Sequence, residues 1–214
     1  MTKVERVYGF ILPISSDEYV RGNKYSTIIK TLEDKKTGML VELVERADEH
    51  HEHLGKVKKT VKNLHLHSRI PGIVKKVIPD NACIIKEISY SSSDRIRTIY
   101  HNNHFCKSLF SITIDTVTSS SISKNNPFDV EEIEYHNISL NHPQSSQESI
   151  CYKHVSVEVN KYFLGWIAHE IDKHLRGVLV EHHENIVRKR EDWINISQSD
   201  IEALEADAFN YKEN

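Results

Sequence analysis

Several polar residues occupy positions where a strand pattern predicts an inward-facing apolar side chain. Side chains two residues apart lie on the same face of a β-strand. In the segment 152–159, Lys153 shares the parity of the apolar residues Val155 and Val157. Segments 57–67, 94–101 and 109–118 repeat this coincidence, and the polar residues on predicted apolar faces are Thr60, Lys62, Thr98, Thr116 and Lys153. For any single strand, the alternative is that the buried apolar face ends at the end of the strand, so that the polar side chain there reaches solvent.

A lysine on an apolar face needs a partner, because burying an unpaired ammonium group is energetically costly. An anion at the polar end of an apolar cavity would supply that partner. Lysine ammonium groups and threonine hydroxyls together are donors that suit a phosphate. A phosphate site above apolar walls is the kind of site that a phospholipid requires.

The segment 161–166, KYFLGW, is a second unusual feature. It connects a predicted strand to a predicted helix, and a tight connection cannot bury all of its large apolar side chains together. One interpretation is that two or three of them fold back on the core. The other is an exposed apolar tip that enters a bilayer interface, formed by Tyr162, Phe163, Leu164 and Trp166.

The pattern along the chain predicts the elements that position these residues. Strands are predicted at 41–44, 57–66, 82–90, 94–101, 109–118 and 152–159, with a weak strand near 129–138 and a polar, turn-like segment at 46–56. Ser15 and Glu18 have capping-box spacing and predict a short helix that begins near Asp17. A further short helix is predicted around 73–77, where Lys75 and Lys76 could meet anionic lipid or form an ordinary solvated face.

After Gly165 the apolar period changes to steps of three and four residues. The resulting stripe predicts one long helix, with Ile167, Ile171, Leu175, Val178, His182 and Ile186 on its apolar face. Ser197 and Asp200 then predict a cap for a last helix at 198–209. Runs of strands followed by a late long helix are typical of an α+β fold, here a curved antiparallel β-sheet wrapped around the helix.

Length and composition favour one globular domain over residues 1–214. The net charge of −3, without a basic stripe, argues against a general nucleic-acid binder. No segment approaches about 18 uncharged apolar residues, and the N-terminus does not resemble a signal peptide. Three scattered cysteines favour a reducing compartment. We therefore expect a cytoplasmic protein.

The chain also resembles a known family, the phosphatidylinositol transfer proteins. The resemblance begins at Ile11-Leu12-Pro13-Ile14-Ser15-Ser16-Asp17-Glu18-Tyr19 and resumes at Thr60-Val61-Lys62, Arg97-Thr98 and Ile112-Thr113-Ile114-Asp115-Thr116. It continues at Tyr152-Lys153-His154-Val155-Ser156-Val157 and ends at Trp193-Ile194-Asn195-Ile196-Ser197 and Asp200-Ile201-Glu202-Ala203-Leu204-Glu205. These motifs occur in the family's order over nearly the whole chain.

The resemblance implies a helix-grip fold similar to the StAR-related lipid-transfer domains, with one phospholipid cavity. It implies a non-enzymatic protein that carries phosphatidylinositol, and also phosphatidylcholine, between membranes. The expected partners are these lipids and a transiently contacted membrane surface. We expect a cytoplasmic monomer that associates peripherally with membranes and has no cofactor apart from its lipid cargo.

The resemblance also implies a headgroup site. Its phosphate contacts fall on Asn23, Thr98, Thr116 and Lys153, and its inositol contacts fall on Thr60, Lys62, Glu87, Ser91 and Glu205. The family usually has Gln in place of Asn23 and Asn in place of Ser91, so both positions have a shorter reach here. The family's membrane-inserting Trp-Trp pair corresponds to Phe163-Leu164.

Two other classes of function remain as alternatives. Fourteen histidines, with His50, His51 and His53 beside Glu49 and Glu52, suggest a histidine-rich metal-binding protein. That segment lacks the rigid spacing of a structural zinc site, and we expect no metal. A small-molecule enzyme using a similar cavity would need a nucleophile–base pair, and the sequence has no nucleophile-elbow motif or phosphate-binding glycine loop.

If Phe163 and Leu164 enter the bilayer, replacing both with Ala should weaken lipid transfer between vesicles, because their apolar surface stabilises docking. The measurement is the transfer rate of a labelled phospholipid, with circular dichroism to show that the variant remains folded. An unchanged rate would contradict the docking role.

Overall fold

A computed structural model describes most of the chain, and all structural statements below concern this part. The described residues are 2–37, 39–65, 83–102, 110–120, 127–130, 132–138, 148–160 and 165–209. The helix predicted around 73–77 and most of the apolar tip, at 161–164, lie outside them. The assignment of residues 1–214 to one domain stays a prediction.

Eight of the described segments form a single sheet with the strand order β2-β3-β4-β5-β6-β8-β1-β7. The strands are β1 Thr2–Leu12, β2 Val41–His51, β3 Gly55–His65, β4 Ile84–Ser91, β5 Arg95–Asn102, β6 Phe110–Ser119, β7 Glu134–Asn137 and β8 Ser149–Val159. Neighbouring strands are antiparallel, except that β7 runs parallel to β1. The sheet is therefore mixed rather than purely antiparallel as predicted, although the α+β class is confirmed.

Four described helices accompany the sheet: α1 Ser16–Lys36, α2 Gly165–Arg188, α3 Arg190–Trp193 and α4 Gln198–Phe209. The capping box at the start of α1 is present, since Ser15 and Glu18 bond each other's backbone N–H groups. Ser197 caps α4 by accepting a hydrogen bond from the Asp200 N–H at 3.1 Å. None of the described helices is long and apolar enough to cross a membrane.

The predicted strand at 41–44 continues as β2 to His51, so the turn-like interpretation of 46–56 was wrong for most of that segment. The reason is the position of β2 at the edge of the sheet, where charged side chains are tolerated and discourage further strand pairing. Helix α1 spans 21 residues rather than the short helix predicted, and strand β1 was not predicted.

The core lies where α2 packs against β1 and β8. The imidazole of His183 stacks on the ring of Phe10 with centroids 3.8 Å apart, and both side chains are fully buried. The predicted stripe on α2 is right for Ile167 and Ile186 but wrong for Val178, which is 45% exposed. Residues 178–180 are all apolar, so the sequence is compatible with more than one apolar face in this part of α2. In the folded structure, Leu179 is the one that is buried.

Gly22 allows α1 to approach the buried indole of Trp193. A Cβ atom at Gly22 would lie 2.7 Å from Trp193 Cζ2 and 3.0 Å from Ile186 Cγ2. The indole cannot readily move, because it is fully buried and its Nε1 donates to the Ile186 carbonyl at 2.9 Å. This contact therefore depends on glycine.

We expect Gly22→Ala to lower the free energy of unfolding by about 1–3 kcal/mol, because overpacking outweighs the gain in helix propensity. Gly177 is the matched control, since it lies in α2 and a methyl group added there would meet nothing within 4 Å. Gly177→Ala should stabilise the protein by about 0.5–1 kcal/mol. Urea unfolding of both variants measures the difference, and equal effects would contradict the packing argument.

Candidate functional site

The register of the antiparallel strands brings most of the predicted headgroup residues onto one face of the sheet. Directly paired residues on neighbouring strands share a face. Lys62 pairs with Glu87, and Thr116 pairs with Lys153. The residues brought together in this way, here called the polar face, are Thr60, Lys62, Glu87, Ser91, Thr98, Thr116 and Lys153.

Three cross-strand rows form the polar face. The first row is Lys58, Ser91, Ile96, Thr116, Lys153 and Tyr8; the second is Arg46, Thr60, Ser89, Thr98, Ile114 and Val155; the third is Lys62, Glu87, Tyr100, Ile112 and Val157. The Tyr8 hydroxyl donates to Asp172 of α2 at 3.0 Å, so the helix packs on this same face. Polar residues dominate on β3 and β4, and apolar residues dominate toward β8.

Lys153 is the buried cation of this face. The residue is only 8% exposed, and its Nζ donates to Thr116 Oγ1 at 3.1 Å. Within the described part of the chain, no carboxylate forms an ion pair with Lys153. A hydroxyl dipole does not neutralise an ammonium group, so this position favours an anion.

Lys62 and Glu87 form an ion pair with Nζ and Oε1 3.2 Å apart, and both side chains are mostly buried. Tyr100, the next residue in the row, donates a hydrogen bond to Glu87. Burial first, and then the Glu87 carboxylate, raise the pKa of Tyr100 well above its ordinary value, so the phenol stays protonated. The Lys62 ammonium also lies 4.9 Å from the centre of the Phe209 ring of α4.

The middle row carries three hydroxyl residues side by side. Thr60 pairs with Ser89, and Ser89 pairs with Thr98, with 3.4 Å between Ser89 Oγ and Thr98 Oγ1. Neither Ser89 nor Tyr100 was among the predicted site residues. On β4 Ile84, Ile88 and Tyr90 have the opposite parity, whereas Ile85 shares the parity of Glu87 and Ser89, so the strand pattern does not decide which face is inward.

The other two predicted headgroup residues come from helices. Asn23 of α1 holds its Oδ1 atom 2.8 Å from Nε2 of His182 on α2. Glu205 of α4 lies 3.3 Å from Lys24 Nζ and 3.5 Å from Arg46 of β2. Since Arg46 pairs with Thr60, Glu205 is at the β2 side of the polar face. Both ion pairs are made by its buried Oε2 atom, which has no hydrogen bond among the described residues.

The charge of Lys153 extends to two histidines of α2. Burial first, and then Lys153, lower the pKa of His182 to about 4. The pKa of His183 is also well below its ordinary value, with burial as the largest cause and Lys153 next. Both imidazoles are therefore neutral at physiological pH, and the ammonium remains the positive group in this region.

The predicted docking residues are only partly within the described structure. Tyr162, Phe163 and Leu164 lie outside it. Trp166 is in the first turn of α2 and is 40% exposed, which leaves part of its indole accessible. The docking role of all four stays a prediction.

The histidine-rich segment does not form the loop that was predicted. His50 and His51 lie at the end of β2, and His53 follows in the turn. Among the described residues, no group of three or more histidine, cysteine, aspartate and glutamate side chains is arranged to hold a metal ion.

Comparison with known proteins identifies the family to which this chain belongs. The family model described as phosphatidylinositol transfer protein matches residues 3–142 and 141–210. The chain belongs to the phosphatidylinositol transfer protein family, as its resemblance predicted.

One similar protein is phosphatidylinositol transfer protein 4 of Dictyostelium discoideum, which is 32% identical over 93 residues. This match covers 44% of the chain and 28% of the relative. Among solved structures, the crystal structure of TTHA0849 from Thermus thermophilus aligns with 88% of this chain and 95% of its own. Its sequence identity to this chain is 11%, and the TM-score is 0.33.

The lowered pKa of His182 makes a test of the electrostatics possible. We expect Lys153→Met to raise the pKa of His182 above its native value of about 4, because one of its two causes is removed while burial remains. The measurement is an NMR titration of the His182 ring. An unchanged pKa would contradict the influence of Lys153.

The same shift determines the sign of the pH dependence of stability. Between the ordinary pKa of 6.5 and the folded value of about 4, the unfolded chain binds more protons at His182. Stability should therefore fall as the pH is lowered through this range, and His183 acts in the same direction. Urea unfolding at several pH values would measure this loss.

Proposed function

We propose that the protein binds one phospholipid, phosphatidylinositol and also phosphatidylcholine, and moves it between membranes without chemical conversion. The lipid phosphate would bind at Lys153, Thr116, Thr98 and Asn23. The inositol ring would bind at Thr60, Lys62, Glu87, Ser91 and Glu205. The acyl chains would occupy an apolar cavity between the sheet and α2, as in StAR-like helix-grip folds. The observation that carries the proposal is the buried Lys153, which has a hydroxyl for its partner.

A phosphate suits the Lys153 position for electrostatic reasons. The ammonium is 8% exposed and already ordered by its hydrogen bond to Thr116, so binding an anion requires little further reorganisation. Thr98 lies one row away and two strands along the sheet from Lys153, and its hydroxyl would add a donor for a headgroup that spans this distance. Asn23 Oδ1 faces His182, which leaves the Asn23 amide N–H groups as donors for the phosphate.

A neutral polyol suits the opposite end of the polar face. Lys62 and Glu87 neutralise each other at 3.2 Å, so they offer a donor and an acceptor without a net charge. The Glu205 carboxylate, held by Lys24 and Arg46 through its Oε2 atom, adds acceptor lone pairs at this end. An inositol ring presents hydroxyls that both donate and accept, and it can bond to such a mixed set.

A carrier is needed because lipid does not cross water readily. Two acyl chains contain about 30 methylene groups, and at about 0.8 kcal/mol each their exposure costs on the order of 25 kcal/mol. A protein that opens its cavity against the bilayer avoids most of this exposure. We propose that Tyr162, Phe163, Leu164 and Trp166 make this contact and that the protein is a cytoplasmic monomer with transient peripheral membrane association.

We expect Lys62→Ala or Thr60→Ala to reduce phosphatidylinositol transfer about tenfold while phosphatidylcholine transfer is nearly unchanged, because choline makes no use of the inositol contacts. Vesicle assays with the two lipids in parallel measure this difference. Lys59→Ala is the matched control, since Lys59 lies on the same strand but faces the other side, paired with Glu45 at 2.9 Å.

Equal loss of both lipids in the Lys62 variant would contradict the inositol assignment. Organic extraction of the purified protein, followed by mass spectrometry, tests the proposal as a whole. A stoichiometric phospholipid supports a carrier. A stoichiometric metal ion or a bound small-molecule substrate, without lipid, would favour the alternative functions instead.

A further inference from the structure

We infer that the Ser89 hydroxyl is a central contact for the polyol headgroup and contributes to discrimination between phosphatidylinositol and phosphatidylcholine. This inference rests on the proposed function. It adds a residue that neither the strand pattern nor the family resemblance indicates.

The position of Ser89 in the sheet carries the inference. On one face of a sheet, a residue has two cross-strand neighbours at about 4.5–5.5 Å and two neighbours on its own strand at about 6.5–7 Å. The cross-strand neighbours of Ser89 are Thr60 and Thr98, and its neighbours along β4 are Glu87 and Ser91. All four are predicted headgroup residues. An inositol ring bound by Thr60, Glu87 and Ser91 would lie next to Ser89, which is adjacent to all three.

The chemistry of Ser89 also suits this position. Ser89 Oγ lies 3.4 Å from Thr98 Oγ1, and either hydroxyl can be the donor. The pair therefore retains one free proton and several lone pairs for a ligand. Ser89 is half-buried, so its hydroxyl is neither sealed in the core nor fully solvated.

The neighbouring charges favour a neutral polyol over a second anion at Ser89. Lys62 and Glu87, in one adjacent row, already neutralise each other. Lys58, in the other adjacent row beside Ser91, is exposed, so solvent and salt screen its charge. The unneutralised ammonium of Lys153 lies in the other adjacent row and three strands further along the sheet. Three of the four neighbours of Ser89 belong to the inositol set, so we assign Ser89 to the ring rather than to the phosphate.

Ser89→Ala tests this assignment in the full chain. We expect phosphatidylinositol transfer to fall about three- to tenfold, because the ring loses one hydrogen bond, while phosphatidylcholine transfer stays unchanged. Ser89→Thr retains the hydroxyl and suits a strand, so it should preserve most of the phosphatidylinositol transfer. Ser156→Ala is the matched control, because Ser156 is half-buried on the opposite face of β8.

The outcomes separate this inference from the proposed function. If the wild-type protein transfers phosphatidylinositol and Ser89→Ala behaves like Ser156→Ala, Ser89 is not a headgroup contact. Equal loss of both lipids in Ser89→Ala would also overturn its assignment to the polyol. If the wild-type protein transfers neither lipid and releases none on extraction, the proposed function itself fails.

Discussion

A lysine ammonium buried within a β-sheet is the constraint on which the rest of this site depends. Lys153 lies between the apolar core and the polar strands, and a threonine hydroxyl is its hydrogen-bond partner. Retaining a charge in such a place lowers stability unless a ligand uses it. The effect on the surroundings is visible in His182 and His183, whose lowered pKa values keep both imidazoles neutral. Lys153 thus keeps its positive charge at the position where we propose that an anion binds.

The sheet divides its single polar face into two chemically different regions. Near β6 and β8, Lys153 is unneutralised and lies among apolar residues such as Val155. Near β3 and β4, Lys62 and Glu87 are paired with each other, and the hydroxyl groups of Ser89 and Thr98 lie in the next row. We propose that these two regions bind the anionic phosphate and the neutral polyol of a lipid such as phosphatidylinositol, after which the family is named.

The helices connect this face to the core and to its edge. Helix α2 packs on β1 and β8 and brings His182 to Asn23. Helix α4 brings Glu205 to Lys24 and Arg46, and it places Phe209 beside Lys62. Ion pairs with partly buried side chains at an edge strand can rearrange more easily than a packed core. The edge near β2 is therefore held less rigidly than the end of the polar face near Lys153.

Local patterns in the sequence determined the elements with strong periodicity or clear caps. The capping box at Ser15, the last helix at 198–209 and the long helix after Gly165 follow from short-range physical rules, and so does the inward parity of Lys153 and Thr116. Charged residues of β2 were mistaken for a turn, because a single strand does not reveal that it lies at a sheet edge. The parallel pairing of β7 with β1 could not be foreseen, because it joins distant segments through four residue pairs.

The assembly of the polar face was decided by tertiary structure. On β4 apolar residues occur on both faces, with Ile84 and Ile88 on one and Ile85 on the other. Cross-strand register decides the matter by placing Glu87 and Ser89 beside Thr60 and Thr98. The ion pairs of Glu205 and the contact of Asn23 with His182 likewise join residues far apart in the chain. Sequence determines which side chains alternate along a strand. Only the pairing of strands and the packing of helices decide which of the two faces becomes a site.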